Sequence, residues 1–380
     1  MMTDRTGELK LLENMSRDFA MNELREEREE RDNHPFAPID YKLLEKAKEL
    51  GYFSLLSDEP DARTNLTDLG NVLKILSKED ASLATAVFTH SLAEMILIQA
   101  GYTDMTKLPD TVQKPAQKTK ESVSLIAFPC FDFPSEAARL LRCREEKGKY
   151  YLSGKAEYLV MGGLAKWALL SAKAEDEEGF SFFLSPLDDS KIETSSTVLS
   201  LGLRACPSVD MVIRDVEAIL IGEAGNGKAY YRQAAELLSA PAAAISLGVM
   251  MGSCQEAMEY AKQRFQGGRA IINWSEVRMI LSKMALQCRS GEMLVDAALR
   301  KCEEETAGWE ASAIAAALQV QEMACQVVAD GVQVLGGNGY MKDYCQEKRF
   351  RDAHHLKVLL GHHPLRKLDL FDTLEKNGLS

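Results

Sequence analysis

Gly336, Gly337 and Gly339 follow Gln333 within GVQVLGGNGYMKDYCQEKRFRDAHH, residues 331–355, between an apolar run and a strongly charged one. Glycine carries no side chain, so backbone amides in such a turn can approach an anion closely, as phosphate recognition requires. A helix ending at a glycine turn is the other reading, and the two are compatible. The GGNG core follows a helical pattern rather than a strand and matches only part of GxGxxG, which argues against a dinucleotide fingerprint. Four of the six histidines stand at 354, 355, 362 and 363, but no Cys or Glu lies at a tight spacing to complete a metal site. Eight cysteines, with no CxxC pair, read as reduced and mostly buried thiols.

The elements that must position these residues fall into three blocks. Residues 1–118 are helical: Leu12, Met15, Phe19 and Leu24 recur at three to five residues, and LLEKAKELGYFSLL repeats the theme. LPDTVQKPAQKTKE, residues 108–121, reads as a connection. Residues 119–225 hold short runs rich in β-branched and aromatic residues, such as GKYYLSGKAEYLV and DMVIRDVEAILIG, and predict a β-barrel or sandwich. Residues 226–380 return to long helical patterns whose Ala, Ser and Gly permit close helix packing, predicting a four-helix bundle. No βαβ alternation appears, against a Rossmann domain.

The bulk numbers bound the partners. A 380-residue chain that is 46% hydrophobic can bury large cores, and a formal charge of -12 without a basic block makes nucleic acid a poor partner. The charged N-terminus lacks an apolar signal core, and the longest apolar runs are broken before ~18 residues. A cytoplasmic protein without a membrane span is the expectation.

Domain order and local phrases together resemble the acyl-CoA dehydrogenase family, over nearly the full length. QVLGGNGY (333–340) with EKRFRDA (347–353) is similar to its C-terminal signature, LSGKAEYLV (152–160) to a middle-domain phrase, and LGLRACPSVDMVIRDVEAILIG (201–222) to the last middle-domain segment. The resemblance implies FAD, shared across a subunit interface. Gln333, Gly336 and Gly337 then approach the cofactor of a neighbouring subunit, and Arg264, in KQRFQGGRAIINW, faces the pyrophosphate with Arg269 as a further cation. It also implies α,β-dehydrogenation of an acyl-CoA thioester, with electrons passed to an electron-transfer flavoprotein, and a homotetramer or an α2β2 assembly with a sister subunit.

Several positions depart from the family pattern. In FPCFDFPSEAARL, Ser135 and Glu136 match a Ser-Asp pair at the substrate, but Pro129 and Cys130 replace the Thr-Glu beside the flavin. Tyr158, Leu159 and Val160 replace Trp-Ile-Thr; Tyr158 can still stack on a ring, whereas Val160 donates no side-chain hydrogen bond. Met161, Phe131 and Phe133 are the candidates for the acyl-pocket lining. Leu360, Gly361 and His362 stand where the family has Glu-Gly-Thr, and leucine accepts no proton. Glu236, in YYRQAAELLSAP, is the nearest acid to a second family position for the base; His362 and His363 offer imidazoles as alternative bases; Glu223 reads as exposed. These departures leave three readings open: a FAD-dependent dehydrogenase with an unusual base, a noncatalytic or half-site subunit of a hetero-oligomer, and a flavoenzyme of the same fold with a different reaction.

Overall fold

The computed structural model describes residues 2–33, 39–57, 61–102, 123–131, 140–174 and 179–378. Helices come first: α1 (Met2–Phe19), α2 (Arg28–Asp32), α3 (Tyr41–Glu49), α4 (Leu66–Glu79) and α5 (Ala81–Gln99). Asp40 and Asp80 cap α3 and α5 by accepting from the N–H groups of Leu43 and Ser82. α5 is apolar on all sides and buried from Ala81 to Leu97, so it is a core helix. It is long and apolar enough to cross a membrane by length and composition, but 94% of that window lies inside the protein. Glu94 interrupts its sequence without bringing it to the surface.

The middle of the chain closes into a barrel. Strands β1 (Val123–Ala127), β2 (Leu141–Glu146), β3 (Lys149–Val160), β4 (Ala165–Ala174), β5 (Ser181–Pro186), β6 (Ile192–Thr197) and β7 (Ser208–Ile221) pair in the order β1-β4-β2-β3-β7-β5, and a β4–β5 pairing shuts the ring. β1 extends the β4 edge and β6 pairs with β7. Closure removes the exposed edges an open sheet would carry. Of the two shapes the sequence allowed, the barrel is the one formed. β2 is the strand hardest to see beforehand, because LRCREE buries only Leu141 and Cys143 and is otherwise exposed and charged.

The C-terminal half is helical: α6 (Gly227–Leu237), α7 (Ser239–Gln263), the small hairpin of β8 (Phe265–Gln266) and β9 (Arg269–Ala270), then α8 (Ser275–Glu303), α9 (Trp309–Leu335), α10 (Gln346–Leu356) and α11 (His363–Lys376). α7, α8 and α9 pack on one another, α11 packs on α9, and α4 of the first block lies along α7. Gly248 and Gly252, one turn apart on α7, face the Lys74 and Lys78 carbonyls of α4 at distances that leave no room for a Cβ.

A buried ionic seam on α10 joins the blocks. Lys348 sits between Asp80 at 3.0 Å and Asp352 at 2.7 Å, Arg349 and Arg28 share Glu256, and Arg351 pairs with Asp32. Asp352 also accepts from the Leu203 N–H of the middle block at 2.6 Å. The EKRFRDA phrase is thus a structural clamp between the helices and the barrel. Gly202 rests directly on the backbone of Arg351, where any Cβ would collide at 2.5 Å.

Candidate functional site: an outward groove and a packed inner face

Two regions gather the residues singled out in the sequence. The first is an open groove of about 590 Å³ where the C-terminal ends of α7 and α9 meet the hairpin between α7 and α8. Arg264, Gly267, Gln333, Gly336 and Gly337 all line it, together with Tyr260, Trp274 and Asn338. α9 ends at Gly336 with φ 59° and ψ −131°, a conformation that strains L residues, and the space beside its Cα is empty. The helix cap and the cradle are therefore the same glycine. Arg264 is exposed at the C-cap of α7 and Arg269 lays its guanidinium 3.6 Å over the Trp274 ring. Asn338 receives shape from two tyrosines, donating to the hydroxyls of Tyr260 at 3.0 Å and Tyr344 at 3.1 Å. Trp274, Tyr260 and Asn338 lie within or beside the phrases already noted, but nothing in their spacing marks them as groove residues.

The second region is the inner face where β1, β3, the 202–207 loop, α6 and α10 meet. Val160 and Cys130 are fully buried there, and Phe131 is nearly so. Tyr158 has φ +54° and donates its hydroxyl toward His355 Nε2 at 3.1 Å. The carbonyl of Gly202 lies 2.8 Å from His355 Nδ1 and can only accept, so Nδ1 carries the proton and Nε2 accepts from the phenol. Burial pushes the Tyr158 phenol up to about 12 and the His355 imidazole below its usual range, which keeps both neutral. The Phe131 ring lies against His355 at a tilt, with centroids 4.5 Å apart and planes 39° from parallel. His355 enters this cluster although the sequence singled it out only as one of four clustered histidines.

The candidate bases stand elsewhere. Glu236 pairs with Arg232 at 2.8 Å and lines a groove with Glu310, Thr373 and Lys376. On the same helix Tyr231 turns the other way, its hydroxyl donating to the Leu360 carbonyl at 3.2 Å and its ring stacked near Phe128. His362 is exposed at the N-cap of α11. His363 is buried with Nε2 3.3 Å from the Leu318 carbonyl, and it lines a third groove between α8, α9 and α11. Glu223 is exposed, as read. Ser135, Glu136 and Phe133 lie outside the described residues. Leu360 is buried with φ +67°, and Met161 is fully buried with φ +61°.

Whether these residues fit FAD can be judged from their donors. The outward groove fits a pyrophosphate: the exposed Arg264 guanidinium and a glycine cradle border open space, with Gln333 on the same lining. On the inner face the backbone donors are spent within the chain. Cys130 N–H and Val160 N–H both donate to the Phe128 carbonyl, at 3.0 and 3.2 Å, and Leu360 N–H donates to Cys130 at 3.2 Å. Tyr158 N–H donates to Asp210 at 3.0 Å. The main chain thus does not replace the missing Thr hydroxyls at these positions.

Comparison with known proteins defines the class. Residues 225–367 match the family model for the acyl-CoA dehydrogenase C-terminal domain. The chain is 25% identical to cyclohex-1-ene-1-carbonyl-CoA dehydrogenase of Syntrophus aciditrophicus, over 97% of this chain and 90% of that one. It is 24% identical to the caffeyl-CoA reductase-Etf complex subunit CarC of Acetobacterium woodii, over 93% and 94%. Butyryl-CoA dehydrogenase of Megasphaera elsdenii superposes with a TM-score of 0.84 at 20% identity, covering 97% of this chain and 98% of that one. A glutaryl-CoA dehydrogenase of Mycobacterium smegmatis, solved in complex with FADH2, gives 0.82 at 18% identity, covering 97% and 94%. The helix, barrel and bundle order is the acyl-CoA dehydrogenase fold. Residues 225–367 carry that family's C-terminal domain, and the chain as a whole is similar to acyl-CoA dehydrogenases.

Proposed function

We propose that the chain is a FAD-dependent acyl-CoA dehydrogenase-like oxidoreductase that works between the α and β carbons of an acyl-CoA thioester. One observation carries this reading. Arg264, Gly336, Gly337 and Gln333, from two helices far apart in sequence, converge on one outward groove with the chemistry of a phosphate cradle. An outward position suits a cofactor held jointly with a neighbouring subunit, in a homotetramer or an α2β2 assembly. The two relatives named above, a dehydrogenase and a reductase complex subunit, support two-electron chemistry on CoA thioesters in either direction, with an electron-transfer flavoprotein as partner. Bound FAD supplies the hydride acceptor; this chain's residues hold its phosphates.

A second reading, a noncatalytic or half-site subunit, is favoured by the inner face. Leucine stands where the family base would stand, and the surrounding amides are occupied. The protein purified alone, examined by visible absorption before and after a panel of acyl-CoA thioesters, separates the two. Bound flavin that bleaches with a thioester establishes the independent enzyme. A colourless protein that takes up FAD only with a sister chain establishes the half-site subunit, and one that never binds FAD sinks both.

A further inference from the structure

α8 and α11 both pack on α9 and leave between them a trough of about 730 Å³. Its floor follows α9 from Ser312 to Glu322, a span of ~15 Å that can seat nearly three turns of another helix. Ala297 and Ala298 on α8, with Ala315 and Ala316 on α9, give it depth, because a methyl group stops close to the backbone. Two cations stand in the lining, Lys301 on the α8 wall and Lys367 on the α11 wall, and Lys301 donates to Ser312 Oγ at 3.0 Å. α11 also carries a stripe of the shape such a trough takes. His363, Arg366 and Thr373 turn one face of that helix into the protein, while Leu365, Leu368 and Phe371 on the opposite face are 52%, 61% and 55% exposed. Three large apolar side chains at three-residue spacing form a continuous patch, unlike apolar residues scattered singly over a surface. Asp369 and Asp372 flank the stripe and are exposed too. Among the described residues, none of Lys301, Lys367, Asp369 and Asp372 has an ion-pair partner.

We infer that α11 is a self-association element: its Leu365, Leu368 and Phe371 stripe enters the trough of a second copy of the chain, whose own α11 enters this one. Trough and stripe share a helix, since α11 forms one wall of the trough and bears the stripe on its outer side. A two-fold axis between two such helices therefore fills both troughs at once, which is the isologous arrangement of a closed dimer. Each stripe then lies on the partner copy's alanine floor, where its apolar area leaves water. Asp369 turns to the α8 wall across from it, and Lys301 there supplies the opposite charge. Acids beside the stripe and lysines in the trough match each other, and this charge complementarity selects a second copy over a neutral amphiphile.

The trough uses the first half of α9, whereas the outward groove uses its last turn and the glycines beyond it. The two surfaces are separate, so the self-association contact does not rest on the cofactor reading.

Sedimentation velocity of the full chain, without added FAD, tests it. Wild type should sediment as a dimer or a larger even-numbered assembly. The double variant Leu368→Asp with Phe371→Asp changes two exposed side chains, so it should keep its Tm and fall to particles of half the wild-type mass. Lys301→Glu should weaken association roughly tenfold, and Asp369→Lys by a similar factor. The two together should restore it, because each exchanged acid then meets an exchanged base, a recovery that a folding defect would not give. A monomeric wild type would overturn the inference. So would wild-type mass in the Leu368→Asp, Phe371→Asp variant, or single charge exchanges that the double exchange fails to rescue. Native mass spectrometry that finds the wild type as a monomer carrying a small amphiphile would assign the trough to a ligand instead and overturn it as well.

Discussion

The backbone N–H of Leu360 donates to the carbonyl of Cys130 at 3.2 Å. This single bond joins the position at which the family resemblance puts the catalytic carboxylate to the position at which it puts a flavin-side glutamate. Both residues are apolar here and both are buried, so two sites that hold charge elsewhere in the family instead pack against each other.

Leu360→Glu therefore tests whether the inner face has room for a base. A carboxylate at this position would be buried without a donor, since the adjacent amides are already engaged, and such a group costs about 3 kcal/mol or protonates. The expected result is a clear fall in Tm, with no thioester-dependent turnover gained. An unchanged Tm together with new dehydrogenation would mean that Leu360 lines an open pocket.

Arg264→Ala tests the outward groove. The side chain is exposed, so the fold should be unaffected. A charge-assisted hydrogen bond contributes about 1.5–3 kcal/mol, which corresponds to roughly 10- to 150-fold weaker FAD binding. Fluorescence titration of FAD into the assembled protein reads this directly. Binding unchanged within a factor of two would remove Arg264 from the cofactor's surroundings.

How much of this was legible in sequence follows from what each signal encodes. The three-block order was readable because long helical patterns give way to short runs rich in β-branched and aromatic residues and then return. β2 was not, because LRCREE spends most of its side chains on solvent. The groove was readable through glycines: Gly336 must take a conformation that other residues resist, so its type reports its geometry. Trp274 and Asn338 carry no such constraint and reach the groove only through the folded hairpin. The inner face was half readable. Replacement of Thr, Glu and the base could be seen, but the His355–Tyr158 bond and the occupied amides are tertiary facts that no local spacing records.

Acid should destabilise the protein in two stages. His90 is fully enclosed, with Nδ1 accepting from the Ile126 N–H at 3.1 Å; burial holds its imidazole down at about 4, and protonation would break that bond. A depressed folded value means its contribution is complete above ~6.5 and declines as pH falls toward about 4. Glu256 follows at lower pH. Burial alone would raise its carboxyl, but the guanidiniums of Arg349 and Arg28 outweigh that and set it at about 2. Its contribution, roughly 3 kcal/mol, is present above ~4.5 and lost between there and pH 2. Urea midpoints across pH 3 to 8 should show both declines; His90→Asn removes the upper one and Glu256→Gln the lower. A flat profile from pH 8 to 5 in wild type would refute the role given to His90.

Gly248→Ala sets a helix-propensity gain against a packing loss. Alanine favours a helix interior by up to ~1 kcal/mol over glycine. At this position, however, the new methyl would lie 2.0 Å from Ser77 Oγ and 2.3 Å from the Lys74 carbonyl on α4. The hydroxyl can rotate, but the carbonyl belongs to a helix and moves only if α4 and α7 separate along their length. Overpacking of this kind costs about 1–3 kcal/mol and sets the sign. The variant should lose several degrees of Tm, whereas Gly163→Ala, whose methyl would meet only Val209 at 3.9 Å, should lose little. Equal melting of the two variants would show that α4 and α7 are not held at the distance that makes their contact the joint between the N-terminal helices and the bundle.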